Sequence, residues 1–261
     1  MASQNSKDTA NGGKSSSGAA TTNGSSSSKS KSGSSGSGTS SSASHASGHS
    51  GRLSGKRVAV LATHGVELLE ITEPTQGLRE AGADVKIIAL DNAPIVSWNM
   101  TAWDNEIEPD LALSEAVHQD WDALFLPGGP LNADVMRSTD LPVFFTNEYF
   151  FKRDKPVGAL CHAQWVLVEC DVLRGRRVTS YPAIASDLRN AGATWVNRSV
   201  VVEGNLVTGR SPADTPEFVP ALIEHIATYK SDETHTAAGM QRYFTPKSLD
   251  PKTGPSAQPG A

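Results

Sequence analysis

Cys161 is the residue whose type and position best suit covalent chemistry in this chain. It follows an apolar, strand-like run at 156–160 and precedes a helix-like apolar run at 165–168. A cysteine at a strand-to-helix turn faces the N-terminal end of the helix, where partial positive charge and free N–H groups favour the thiolate. The turn also exposes a nucleophile above the edge of a sheet. We therefore predict a reactive thiolate, although an isolated cysteine is more often a small buried apolar residue.

The neighbours of Cys161 suggest how such a thiol would be assisted. His162 follows it directly and is the predicted proton carrier. Adjacent residues share a hydrogen bond poorly inside a helix, so this role needs the sharp turn or a third group that orients the imidazole. The loop Pro127-Gly128-Gly129 follows another strand-like run, and the backbone N–H of Gly129 is expected to join that of His162 in stabilising an oxyanion. A glycine pair alone is also typical of a plain turn.

Glu67 lies in the turn after the first strand-like run and has two interpretations. It is either a carboxylate that stabilises the start of a helix or a carboxyl group that contacts the thiol and holds it in place. Glu70 and Glu73 follow at three-residue steps, and we expect them to share the helix surface rather than the site. Cys170, among apolar neighbours, is predicted to be a core residue.

The elements that must position these residues alternate along the chain. Apolar runs of strand length at 58–62, 84–90 and 121–126 alternate with helix-like segments, and residues 91–113 predict an irregular excursion or a small hairpin. Residues 195–208 predict a second hairpin. This order predicts an α/β fold with an open, doubly wound, mainly parallel sheet, in which ligands gather at the carboxyl ends of the strands.

Composition limits the domain organisation and the partners. Residues 1–52 are rich in Ser and Gly and predict a disordered tail, 53–230 predict one α/β domain, and 231–261 predict a second disordered tail. The net charge of -5 argues against nucleic-acid binding, and no apolar run is long enough to span a membrane. Two cysteines nine residues apart form neither a disulfide framework nor a metal site, which favours a cytoplasmic setting.

Four segments in combination resemble the PfpI family, the intracellular-protease and protein-deglycase branch of the class I glutamine amidotransferase-like superfamily. The resemblance covers about residues 55–228. The segments are VAVLATHGVELLEITEP, DALFLPGGPLNADVMR, KPVGALCHAQWVLVECDVLRGRRVTSYPAI and DLRNAGATWVNRSVVVEGNLVTGRSPAD.

The resemblance implies roles and a setting for the predicted site. Cys161 matches the nucleophile, His162 the histidine beside it, and Glu67 the glutamate that contacts the thiol. Asp134 falls near the position where some members offer an acid to the histidine of a neighbouring subunit. The resemblance further implies a flavodoxin-like sandwich, a homo-oligomer (dimer, trimer or hexamer), and no metal or organic cofactor.

The substrate pocket departs from the family pattern at one point. The family commonly has Gly-Pro after Cys-His, whereas this chain has Ala163-Gln164. The amide of Gln164 is expected to face the pocket and to alter substrate preference. Tyr181 and Arg210 are pocket residues by the same match, or residues of a surface loop.

Three functions remain open on the sequence. The leading hypothesis is a cysteine-dependent enzyme acting on small reactive carbonyls or on glycated proteins and peptides, with glyoxalase or deglycase chemistry and a role in stress protection. The second is an oligomeric intracellular cysteine peptidase, a hydrolase. The third is a stress protein or chaperone whose Cys161 senses peroxide without turnover.

Overall fold

The structure, a computed structural model, describes residues 50–231. Its β-strands are β1 (Arg57–Leu61), β2 (Asp84–Ala89), β3 (Ile95–Trp98), β4 (Trp103–Ile107), β5 (Leu111–Ala112), β6 (Ala123–Leu126), β7 (Val157–Leu160), β8 (Arg177–Val178), β9 (Thr194–Trp195), β10 (Val200–Glu203) and β11 (Leu206–Gly209). Its α-helices are α1 (Leu68–Glu80), α2 (Leu113–Ala116), α3 (Pro130–Arg137), α4 (Asp140–Thr146), α5 (Gln164–Glu169), α6 (Ala185–Asn190) and α7 (Thr215–Thr228). A π-helical turn (Asn147–Phe151) extends α4, and 3-10 turns (Pro182–Ile184 and Pro212–Asp214) precede α6 and α7.

Seven strands form the main sheet, in the order β10-β11-β7-β6-β1-β2-β5. All neighbouring pairs are parallel except the antiparallel hairpin of β10 and β11. Parallel neighbours need a crossover connection, and helices supply most of these crossovers here. The predicted doubly wound α/β fold is confirmed.

The central strand β1 shows why both faces of the sheet are covered. Side chains alternate between the faces of a strand, so a strand buried on both sides carries apolar residues without interruption. Val58 and Val60 belong to the core between the sheet and helices α1 and α7. Ala59 and Leu61 belong to the core on the opposite face, beneath α3 to α6. All four are essentially inaccessible to solvent.

The predicted hairpins are only partly correct. Residues 95–107 form the expected small hairpin, β3 and β4, beside the main sheet. The second hairpin is shorter than predicted, because Trp195 lies on β9, which pairs in parallel with β8 through Val178. The hairpin proper begins only at Val200, whose partner is Gly209.

The predicted tails lie outside the described residues, except for 50–52 and 231. Residues 50–55 form turns; Arg52 pairs with Glu224 on α7, and Leu53 is fully buried. Position 52 of the predicted tail is therefore exposed but joined to α7 by this ion pair. Within the described range, no helix combines the length and apolar character needed to cross a membrane.

Chain direction across the sheet reverses between β1 and β6. From β1 the chain proceeds to β2 on one side, and it later returns to β6, β7 and β11 on the other. Connections leave in opposite directions at such a point and open a crevice at the carboxyl ends of the strands. The loops after β1, β6 and β7 meet at this crevice.

Asn132, the third residue of α3, joins two of these loops. Its Oδ1 accepts the backbone N–H of Thr63 at 2.7 Å, and its Nδ2 donates to the carbonyl oxygens of Pro127 and Gly128 at 2.9 and 3.0 Å. The side chain is buried. It thereby fixes the loop after β1 against the glycine loop after β6.

We expect Asn132→Ala to lower the free energy of unfolding by about 1–3 kcal/mol, because it leaves the buried Thr63 N–H without an acceptor. Urea unfolding followed by circular dichroism measures the change. Asn190→Ala, which truncates an exposed asparagine at the end of α6, is the matched control and should stay within about 0.5 kcal/mol of the wild type. Equal effects of the two substitutions would contradict the bridging role.

Candidate active site

Cys161 occupies a backbone conformation that side chains other than glycine rarely adopt. It directly follows β7 and has φ of 63°, in the left-handed region. Such a residue costs about 1–3 kcal/mol and persists only where its surroundings fix it. Its N–H donates to the carbonyl oxygen of Gly209 at 3.0 Å, and its carbonyl oxygen accepts the N–H of Tyr181 at 2.9 Å. The sharp turn required by the sequence prediction is therefore present.

The turn brings the thiol and the adjacent imidazole together. Sγ of Cys161 lies 3.2 Å from Nδ1 of His162. Burial lowers the pKa of His162 to about 4, because the site disfavours the charged imidazolium. At neutral pH the ring is uncharged, and in the tautomer with hydrogen on Nε2 the Nδ1 atom can accept a proton from sulfur.

Two aromatic rings fix the orientation of the imidazole. Tyr181 stacks on His162 with ring centroids 4.7 Å apart, and Trp165 meets it edge-on at 5.4 Å. Among residues 50–231, no group makes a hydrogen bond to Nε2 of His162. Orientation within the described chain therefore comes from packing and from the Cys161 contact.

The carboxyl group beside the thiol belongs to Glu70 and not, as predicted, to Glu67. Glu70 is fully buried, and its carboxyl lies within hydrogen-bonding reach of the thiol of Cys161. Glu67 precedes α1; its backbone pairs with that of Trp98, and its carboxyl accepts the N–H of Met100. The two acids stand one helical turn apart on the same face, so spacing alone did not distinguish them. The expectation that Glu70 lies on the helix surface was wrong.

Burial keeps the Glu70 carboxyl protonated around neutral pH. Desolvation raises its pKa to about 8, and the nearby Glu67 carboxylate acts in the same direction. Oε2 accepts the N–H of Gly128 at 2.8 Å, whereas Oε1 is buried with no hydrogen-bond partner within residues 50–231. A buried negative charge with one unpaired oxygen is unfavourable. The protonated carboxyl can instead donate its O–H to sulfur.

The prediction of a resting thiolate, based on the helix terminus alone, needs correction. Cys161 is only 5 % exposed, and burial raises the pKa of its thiol above the ordinary value, as would an ionised Glu70. The backbone N–H groups of Gly129 and His162 point at Sγ and oppose this shift. With Glu70 protonated, its O–H can become a third donor to the sulfur. Any ionisation of the thiol therefore depends on these neighbours rather than on the helix.

The glycine loop is shaped by close approach to this cluster. A Cβ on Gly128 would lie 2.2 Å from Oε2 of Glu70 and 2.6 Å from Cβ of Cys161. Gly129 has φ of 96°, and a Cβ there would lie 2.1 Å from the carbonyl oxygen of Gly65. Only glycine lets this loop bring its N–H groups against the thiol and the carboxyl.

Gln164 does not face the substrate, contrary to expectation. It is fully buried at the start of α5, and its Nε2 donates to backbone carbonyls beneath the turn. Tyr181 and Arg210 do lie together, lining an open pocket of about 310 Å³ with Pro182 and Ser211. Arg210 is held by Asp214, with Nη2 at 2.8 Å from a carboxylate oxygen.

Asp134 is exposed on α3 and lies outside the cluster. Its carboxylate pairs with Arg137 at 2.9 Å, and the Arg137 guanidinium stacks over the ring of Trp165 at 4.9 Å. Trp165 in turn contacts His162, so Asp134 stands on the surface next to the site without touching the imidazole. Residues 50–231 contain no cluster of three or more His, Cys, Asp or Glu side chains that could hold a metal ion. Cys170 is buried in the core, as predicted.

Comparison with known proteins agrees with this geometry. A sequence profile of the DJ-1/PfpI family matches residues 56–225. Two Bacillus subtilis proteins are similar: "Putative cysteine protease YraA", 38% identical over 163 residues (62% of this chain, 94% of that protein), and "General stress protein 18", 37% identical over 166 residues (63% and 94%).

Solved structures give the same assignment. Drosophila melanogaster DJ-1beta superposes with a TM-score of 0.60 at 27% identity, covering 74% of this chain and 97% of that chain. A two-domain protein from Anabaena variabilis, with DJ-1/ThiJ/PfpI-like and ferritin-like domains, superposes with a TM-score of 0.61 at 34% identity. That match covers 66% of this chain and 48% of the two-domain protein.

We expect the difference in free energy of unfolding between wild type and Glu70→Gln to change with pH. Native Glu70 keeps its proton up to about pH 8, whereas an unfolded glutamate loses it near 4.5, so the native state binds more protons in this window. The free energy of unfolding of the wild type therefore falls as pH rises from about 4.5 to 8, because the stabilisation from the proton on native Glu70 is lost. Glu70→Gln has no such proton, so this fall is absent from its free energy of unfolding. Urea titrations at several pH values measure the difference, in which the shared histidine contributions cancel.

Glu80→Gln, at the exposed end of the same helix, is the matched control for that experiment. Its difference from the wild type should be constant over the same range. A constant difference for Glu70→Gln as well would show that Glu70 is ionised in the native protein at neutral pH.

Proposed function

Because the chain belongs to the DJ-1/PfpI family, we propose that it is a cysteine-dependent enzyme acting on small reactive carbonyls, such as 2-oxoaldehydes and their early adducts on protein amines. The observation that carries this proposal is the contact of 3.2 Å between Sγ of Cys161 and an uncharged His162. A thiol, an adjacent base and a carboxyl that orients the sulfur are the components of nucleophilic catalysis.

The first step adds the thiol to the aldehyde. His162 Nδ1 takes the thiol proton while Sγ forms a bond to the aldehyde carbon, and negative charge moves to the carbonyl oxygen. The N–H groups of Gly129 and His162, which point at the sulfur, are suited to stabilise this charge. The imidazolium then returns the proton to the oxygen and leaves a hemithioacetal.

The second step moves a proton between neighbouring carbons. His162, neutral again, takes the hydrogen of the former aldehyde carbon as a proton and passes it to the oxygen of the adjacent carbonyl, which leaves an enediol. Protonation of that adjacent carbon yields a thioester of a 2-hydroxy acid. Water hydrolyses the thioester and restores the thiol, so methylglyoxal and water give lactate. One carbon is oxidised as its neighbour is reduced. With an early amine adduct, a hemiaminal, the C–N bond breaks first: the amine leaves with the hydroxyl proton, the aldehyde re-forms, and the thiol then adds to it as above.

Burial of the nucleophile favours a small substrate. The Cys161 side chain is 5 % exposed, enclosed by the glycine loop, His162 and Tyr181. A two- or three-carbon aldehyde needs little space beside the sulfur. An extended peptide must also place its main chain against the thiol, which would require the surrounding loops to open.

A cysteine peptidase is the second candidate, favoured by the name of the relative YraA. For this activity the pocket lined by Tyr181 and Arg210 would hold a side chain of the peptide. The stress-protein name of the other relative fits carbonyl detoxification and also a thiol sensor without turnover.

A homo-oligomer would supply the orienting partner that His162 lacks within the described chain. Asp134 is exposed and lies near the Trp165 side of the imidazole. We also propose that Asp134 of a neighbouring copy approaches Nε2 of His162. An acid there would stabilise the imidazolium formed in the first step.

We expect purified wild-type protein to consume methylglyoxal and release lactate, and Cys161→Ser to lower the rate at least about 100-fold, because a serine hydroxyl beside neutral His162 is a far weaker nucleophile. A lactate assay coupled to disappearance of the dicarbonyl measures both. Cys170→Ser is the matched control and should keep most of the activity.

Casein cleavage that depends on Cys161, without lactate formation, would replace the carbonyl assignment with the peptidase. Slow oxidation of Cys161 by peroxide, with neither activity, would leave only a sensing role.

We expect Asp134→Asn to lower lactate formation about 10-fold or more while the fold is retained, because the imidazolium loses its anionic partner. Mixing it with Cys161→Ser after mild dissociation tests whether the acid acts between copies. If it does, mixed assemblies contain some complete sites and recover activity that neither variant has alone. Full activity of Asp134→Asn would exclude the proposed role of this residue.

A further inference from the structure

The side chain of Gln164 connects three backbone segments beneath the active-site turn. Its Nε2 lies 3.0 Å from the carbonyl oxygens of Ala159, Thr179 and Gly209. The side chain has no solvent exposure. Three carbonyls from different parts of the chain therefore converge on one amide nitrogen.

Two of these segments hydrogen-bond with the backbone of Cys161, and the third leads directly into it. The carbonyl of Gly209 that receives Nε2 of Gln164 also accepts the N–H of Cys161 at 3.0 Å. Thr179 lies two residues before Tyr181, whose N–H donates to the carbonyl of Cys161 at 2.9 Å. Ala159 lies on β7, two residues before the turn. Both backbone hydrogen bonds of the left-handed residue thus end on segments joined by Gln164.

The amide orientation is fixed by its surroundings. An –NH₂ group has two hydrogens, so with three acceptors at least one hydrogen is shared. A reversed amide would place Oε1 against three carbonyl oxygens, which is strongly unfavourable. In the observed orientation Oε1 is buried with no hydrogen-bond partner among the described residues. An unpaired buried oxygen is unfavourable in itself, so the side chain is held in place by its donors.

We propose that Gln164 is a positioning residue that locks the left-handed turn at Cys161 and thereby keeps Sγ against the N–H groups of Gly129 and His162. The family commonly has proline at this position. Proline suits the first position of a helix but offers no donor to these carbonyls. This chain secures the turn with a side-chain amide instead. This role of Gln164 acts on the thiol itself and does not depend on which substrate the enzyme takes.

The test follows the ionisation of Cys161 without any substrate. In a Cys170→Ser background Cys161 is the only thiol, and its reaction with iodoacetamide is measured as a function of pH. We expect Gln164→Met, which keeps the length of the side chain and removes its donors, to move the inflection about one pH unit higher. Displaced sulfur loses the hydrogen bonds that favour its ionised form. The plateau rate at high pH reports access separately.

Gln76→Met, on the exposed surface of α1, is the matched control and should leave the inflection in place. Thermal unfolding is recorded in parallel. A purely structural role of Gln164 would lower the melting temperature and leave the inflection unchanged, and this result would overturn the proposal. If Gln164→Met does not fold, Gln164→Pro, which the first turn of a helix accepts, takes its place with the same two outcomes.

Discussion

The structure depends on one backbone constraint, the left-handed conformation of Cys161 at the end of β7. No Cβ-bearing residue adopts it without cost, so the surroundings must supply compensating contacts. They do so through Gly209 on β11, through the segment that carries Tyr181, and through Gln164 beneath the turn. Because these contacts come from separate parts of the chain, the turn exists only when the sheet is complete.

The second organising effect is burial, which controls the charge of the site. Desolvation raises the pKa of Glu70 and of Cys161 and lowers that of His162, in each case against the charged form. Three titratable groups therefore lie together at neutral pH without a resting charge. Glu70 can donate a proton to the sulfur, and an unprotonated ring nitrogen of His162 can accept the proton of the thiol. The thiol is therefore not ionised in the resting protein at neutral pH.

Topology decides which residues meet. The crevice between β1 and β6 brings Glu70 on α1 against the glycine loop, and the neighbouring β7 leads into the cysteine. The glycines are needed because any side chain at 128 or 129 would overlap Glu70 or the loop after β1. Asn132 fixes the same loops from beneath. The site is a junction of loops that the sheet and these buried side-chain amides hold in register.

The chain order of strands and helices, the location of the turn and the cysteine that occupies it could be predicted from the sequence. Continuous apolar runs reveal strands covered on both faces, and Cys161 lies where one of them ends. Tertiary structure decided the direction of side chains: Glu70 rather than Glu67 faces the sulfur, and Gln164 points into the core. Residues 67 and 70 share one helical face, so local spacing cannot tell them apart, and only the packing of α1 on the glycine loop does. The protonation state of the cysteine was likewise beyond the sequence, because a helix terminus is a local feature whereas burial is a property of the whole fold.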